Sequence, residues 1–303
     1  MNQVNKSPRY KLKAAYSGYQ ALDALDRSRE VFIMGISSYG IYIKTSVPWV
    51  VFLSFERFRG PLTINLQEIP KSLRLIGGDE PLHIDQGLLK FPRINLTISA
   101  TDAKIWRAPP TPIHCLSSSE RRNHVIDIAL DVLKQVDNLG YSAQLASLVK
   151  PLETETPFSE TRQRGQVDLF QIQKYYLDRD FHNLVGSLDN LIGSGEGLTP
   201  GGDDVLIGLL LSLNRWKDVL WRNNSLTELN QFLIRSAYKS TTTISGNLIE
   251  CAAAGQADER LIHALDWMMT GIAGYDEIVS QLLSWGNTSG LNAFIGMVVA
   301  IIA

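Results

Sequence analysis

The hydrophobic pattern changes its period once along the chain. In the first third, apolar residues come in short β-branched and aromatic runs: Val31–Ile36, Gly40–Thr45, Trp49–Phe55, Leu62–Leu66, Gly87–Phe91, Ile94–Ile98 and Ala103–Trp106. Runs of four to seven such residues, divided by Gly, Ser and Asn, predict six or seven strands in a compact sheet or small barrel. Gln20–Arg27 predicts one short helix ahead of them. Beyond residue 117 the period is that of a helix. Val125, Ile128, Ala129, Val132, Leu133 and Val136 step by threes and ones along one face. Ser117 and Glu120 form a capping-box pattern at its start, and Gly140 is the expected stop. Leu177, Phe181, Leu184, Val185, Leu188 and Leu191 predict a second helix, ended by Gly193. Further helices are expected at Val205–Trp216, Leu226–Tyr238, Asn247–Ala254, Glu259–Thr270, Asp276–Trp285 and Leu291–Ile302.

Between the two patterns, Ala108–Ile113 holds three prolines in six residues, which suits neither a central strand nor a helix interior. The fold class is therefore α+β, with a β-rich domain over 1–108 and a mainly helical domain over 117–303. Pro151–Gln166 reads as a polar loop. The chain of 303 residues is 45% hydrophobic and 20% charged, enough apolar surface to bury a core and too much for disorder. Its 29 Lys and Arg against 31 Asp and Glu leave a net charge of −2, so the electrostatic footprint of a nucleic-acid binder is missing. The longest apolar run, Leu291–Ala303, is broken by Asn292 and falls short of the ~20 residues of a membrane span. The N-terminus has no apolar core for a secretory signal. Cys115 and Cys251 form no CxxC pair and read as reduced thiols. Together these features predict a cytoplasmic protein with neither nucleic-acid nor membrane partners.

Candidate chemistry concentrates in Gly193–Asp204, which carries five glycines in twelve residues between two helices. Such a run implies positive φ or a close approach to bare backbone. Thr199 is the expected N-cap and Pro200 the first helical residue, placing Gly201, Gly202, Asp203 and Asp204 in the first turn. Exposed N–H groups there suit a phosphate or carboxylate. The paired aspartates suit a divalent cation such as Mg²⁺, or simply the positive end of the helix. The segment lacks Gly-Lys-Ser/Thr, and it follows a helix with Leu198 in place of a final glycine; it is neither a Walker A loop nor a dinucleotide fingerprint.

Two other segments share its character. Lys239–Leu248 and Trp285–Leu291 bring hydroxyls and an amide (Asn247; Asn287, Thr288, Ser289) to expected helix starts. All three are expected to face one pocket. The five histidines form neither HxxxH nor HExxH, and no GxSxG is present, so zinc and hydrolase readings fail.

Gly195-Glu-Gly-Leu-Thr-Pro-Gly-Gly-Asp-Asp204 closely resembles the GxGLTPSGDD signature of a bacterial family, long catalogued as a domain of unknown function. That family includes the third subunit of the oxamate carbamoyltransferase of anaerobic allantoin degradation. The resemblance continues through Ile244–Leu248 and Gly286–Gly290. Gly201 stands where serine is commoner, and Asn287 where histidine or serine is, which removes a hydroxyl and a proton carrier. The resemblance implies a subunit that helps move a carbamoyl group between carbamoyl phosphate and oxamate. Asp203 and Asp204 would be catalytic carboxylates or Mg²⁺ ligands. Gly195, Gly197, Thr199, Gly201, Gly202, Asn247, Asn287, Thr288 and Ser289 would contact an anionic substrate. The alternative is a non-catalytic scaffold or metabolite-binding subunit whose protein partners hold the chemistry.

Overall fold

A computed structural model describes residues 10–136, 141–149, 167–221, 225–272 and 274–302. The chain forms two compact units, Met1–Ala108 and Pro109–Ala303.

Among its described residues the first unit is a nine-stranded sheet with one α-helix and a 3-10 turn at Leu73–Leu75. Its strands are β1 (Tyr10–Gly18), β2 (Val31–Ser37), β3 (Gly40–Thr45), β4 (Val50–Ser54), β5 (Thr63–Leu66), β6 (His83–Asp85), β7 (Leu88–Phe91), β8 (Leu96–Ser99) and β9 (Lys104–Trp106). Helix α1 (Tyr19–Asp26) follows β1 directly. The order is β2-β3-β4-β5-β1-β8-β7-β6, with β9 also on β1. Its end strands, β2 and β6, come into contact, so the sheet is a nearly closed barrel. β1 is central. Its first half runs parallel to β8 and its last residues parallel to β9, while β5 lies antiparallel on its other side. A bulge between Ala14 and Tyr16 bends it toward both partners. Ile41, Ile43, Val51, Leu53, Ile64, Leu89 and Ile98 are fully buried and fill the interior.

The second unit is helical: α2 (Ser118–Leu133), α3 (Ser142–Val149), α4 (Leu169–Leu177), α5 (Phe181–Asp189), α6 (Gly201–Arg215), α7 (Lys217–Leu220), α8 (Leu226–Ser240), α9 (Thr243–Ala253), α10 (Glu259–Thr270), α11 (Tyr275–Leu283) and α12 (Ser289–Ile302). The capping box forms: the Ser117 hydroxyl accepts from the Glu120 N–H, and the Glu120 carboxylate accepts from the Ser117 N–H at 2.9 Å. Helices α6 and α12 make the core. Gly202–Leu213 and Gly290–Ile301 are buried on every face. The pair meets backbone to backbone. A Cβ on Gly208 would lie 1.8 Å from the Ala293 carbonyl oxygen, and one on Gly296 1.9 Å from that of Val205. At its far end α6 is tied to α10 by Arg215, whose Nε and Nη2 reach the Asp266 carboxylate at 2.7 and 2.6 Å. Among the described residues no helix is long and apolar enough to cross a membrane.

Two local expectations change. The stripe from Leu177 to Leu191 is two helices, because Arg179 takes a positive φ of 57° and Asp180 caps α5 through the Asn183 N–H. Pro200, not Thr199, is the N-cap of α6: its φ and ψ of −51° and 144° lie outside the helix, which begins at Gly201. Gly140 and Pro151–Gln166 lie outside the described residues.

Candidate functional site

The glycine-rich segment climbs from the end of α5 to the start of α6 and folds back on itself. The Gly202 N–H donates to the Ser194 carbonyl at 2.9 Å, and the Ser194 N–H to that of Leu191 at 3.0 Å. Gly202 is forced by this fold-back, since a Cβ there would sit 2.2 Å from the Leu191 carbonyl oxygen. Gly197 is different. It holds φ at 100°, has nothing within 4 Å of its Cβ position, and lies in the exposed stretch Gly195–Leu198. The base of the segment is locked and its crest is bare.

The three polar segments do converge here. From the start of α9, Thr241 donates its hydroxyl to the Asp203 carboxylate, and Thr242 donates to the Leu198 carbonyl at 2.6 Å while capping α9 at the Ser245 N–H. From the start of α12, the Ser289 hydroxyl meets that of Thr199 at 3.0 Å. Tyr141, just before α3, reaches the Ser194 hydroxyl at 2.7 Å and lays its ring beside Gly201. Nothing in the local sequence around Tyr141 signals this contact.

The two aspartates differ sharply. Asp203 is fully partnered: one oxygen accepts from the Gly193 N–H at 2.7 Å and the other from Thr241. It latches the loop to α9. Burial raises its pKa, and the Thr241 and Gly193 hydrogen bonds pull it partway back. Asp204 is also completely buried, yet neither of its oxygens has a hydrogen-bond partner. Burial drives its pKa well above the ordinary carboxylate range. The Ser289 hydroxyl lies near enough to oppose the rise, the Asp203 charge adds to it, and the Thr199 hydroxyl opposes it again. The two hydroxyls are joined to each other, however, and complete no bond to Asp204. Burial therefore biases Asp204 toward the protonated acid. In the same turn, among the described residues, the Gly201 and Asp203 N–H groups make no backbone hydrogen bond to residues outside α6.

Other expected residues stand apart. Asn247 is buried and donates to the Tyr238 hydroxyl at 2.9 Å, toward α8. Asn287 and Thr288 are exposed. With Asp203 occupied, a Mg²⁺ ion would have Asp204 as its carboxylate ligand here. No cluster of three or more His, Cys, Asp or Glu suited to a metal occurs among the described residues. A cavity of about 780 Å³ opens at the other end of α6, lined by Asn214, Lys217, Trp221 and Asn230. Its two asparagines bond to each other at 2.6 and 3.2 Å, so their amides are already matched.

The residue that the sequence pattern passed over is Asn292. It is 7% exposed, and its Nδ2 lies 3.0 Å from the Cβ position of Gly201. The signal was present: it is the lone strongly polar side chain in the run from Leu291 to Ile302.

No match was found among the curated proteins or the solved structures. Residues 191–301, from the glycine-rich segment to the last turn of α12, match the model of the family described as oxamate carbamoyltransferase subunit AllH, the family that the motifs of this segment resemble.

Proposed function

We propose that this chain is a subunit of an oxamate-type carbamoyl-transferring enzyme and that the start of α6 holds its small anionic substrate or product. The observation that carries the reading is Asp204, a buried carboxyl with no hydrogen-bond partner in the first turn of α6. Two ionised aspartates in a first turn would cancel the positive helix end and repel an anion. Burial that raises the Asp204 pKa lessens that repulsion, and the protonated form is a donor. Gly201, Asp203 and Asp204 can then each donate to one carboxylate or phosphate, with the Thr199 and Ser289 hydroxyls at the side. In carbamoyl transfer the amide nitrogen of oxamate attacks the carbamoyl carbon, the carbamoyl C–O bond to phosphate breaks, and the nitrogen's proton leaves with the phosphate. Negative charge builds on oxygens, and fixed donors stabilise it. This is catalysis by positioning. Cys251 does not serve as a nucleophile in it, since complete burial pushes its thiol pKa up.

A second reading is a subunit that binds metabolite or partner chains without doing chemistry. It is favoured by the bare crest of the loop, where Leu198 is 54% exposed. Isothermal titration of the purified chain with carbamoyl phosphate, oxamate, oxalurate and phosphate, with and without Mg²⁺, tests the anion site. Saturable binding that weakens ~10–100-fold in Asp204→Leu is expected, the worth of a hydrogen bond to a charged group. Unchanged affinity in the variant, or no binding of any of the four, overturns the site. Turnover of carbamoyl phosphate and oxamate by the chain alone would decide for the catalytic reading over the second.

A further inference from the structure

We infer that Asn292 is the residue by which this site selects a primary amide over a carboxylate. The inference rests on the anion-site reading above. Asn292 lies one helical turn beyond Ser289, on the stretch of α12 that meets Gly201 and Thr199 at the start of α6. It is 93% buried by its 7% exposure, in a helix whose other residues from Leu291 to Ile302 are aliphatic, aromatic or glycine, apart from Met297. Packing alone favours leucine there, of nearly the same size and without polar atoms to desolvate.

The other buried asparagines among the described residues make side-chain hydrogen bonds. Asn65 donates to the Glu56 and Phe58 carbonyls, and Asn247 donates to Tyr238. The Asn292 side chain makes no hydrogen bond among the described residues. Its Nδ2 instead occupies the space that a side chain on Gly201 would take, 3.0 Å from the Cβ position. The glycine leaves room for the amide, which forms no side-chain hydrogen bond among the described residues.

An asparagine carboxamide offers one acceptor and two donors in a plane. Its best match is another primary amide or carbamoyl group, which returns both kinds of bond in a closed pair. A carboxylate or phosphate offers acceptors alone and returns no donor to the Asn292 carbonyl. A site built to pair a ligand N–H discriminates strongly against the analogue that lacks it.

Oxamate and oxalate are the probes, since they differ by an amide in place of one carboxylate. Titration calorimetry on the full chain is expected to show oxamate bound about tenfold or more tightly than oxalate. In Asn292→Leu that ratio is expected to fall to about one while the melting temperature holds or rises. Gly201→Ala, which displaces the amide without removing it, is expected to narrow the ratio as well. A ratio that survives Asn292→Leu, or equal affinities in the unaltered chain, overturns this inference and leaves the anion site standing. Failure of the unaltered chain to bind oxamate, oxalate, carbamoyl phosphate or phosphate overturns both.

Discussion

The unpartnered acid at Asp204 leaves a signature in stability as well as in binding. Its folded pKa is raised by burial, while in the unfolded chain it returns to ~3.9. Below pH ~4 both states hold the proton and the group is neutral to folding. As pH rises above that, the unfolded chain releases its proton and the folded chain keeps it. The unfolded state is favoured by ~1.4 kcal/mol for each pH unit until the folded pKa is passed. Asp204→Asn removes this term and keeps the size and shape of the side chain. Near pH 4 the two proteins should differ by less than ~1 kcal/mol, since both place a neutral, unpartnered group at the same spot. Above pH ~5 the variant should gain on the parent, by up to ~1.4 kcal/mol per unit, until the folded pKa is passed. Urea unfolding followed by helical circular dichroism at each pH measures the gap. Parallel curves, or a parent that gains on the variant as pH rises, would refute the claim that the fold holds this carboxyl protonated.

Two further outcomes follow from the loop. Gly202→Ala drives a methyl to 2.2 Å from the Leu191 carbonyl and should destabilise by ~1–3 kcal/mol, whereas Gly197→Ala meets open space and should cost only the strain of its φ, ~1–2 kcal/mol; paired melting curves rank them. Asp203→Ala strands the Gly193 N–H and the Thr241 hydroxyl and should lower stability by ~1–3 kcal/mol, with faster hydrogen exchange at Gly193 as the local readout.

What could be read in advance followed the range of the physics involved. Short apolar runs placed seven strands, and helical stripes placed α2, α6 and α8 to α12 within a few residues, because periodicity is a local property. β1 was missed although it is the central strand. Its residues Tyr10–Gly18 mix Lys, Ala and Ser and draw their order from β5, β8 and β9, which lie far along the chain. β6, three residues long, was missed for want of length. The two-helix break at Arg179 hid inside a continuous apolar stripe. At the site, the meeting of the loop with the starts of α9 and α12 was legible from their shared excess of hydroxyls. The separate fates of Asp203 and Asp204 were not. Adjacent identical residues look alike in sequence, and partners at Thr241 and Gly193 divide them. Thr199 likewise has the character of a cap, but Ser289, ninety residues later, claims its hydroxyl.

The contact of α6 with α12 has a mechanical consequence. Gly208 and Gly296 each stand seven residues beyond the first residue of their own helix, so the tightest point of the pair lies about 10 Å down the axis from each start. With backbone against backbone there is no compressible side chain to take up an error. The gauge between the two rods fixes how far the loop stands from Ser289 and Asn292. A methyl inserted at that pinch would spread the mouth above it while leaving every group that meets the ligand chemically intact.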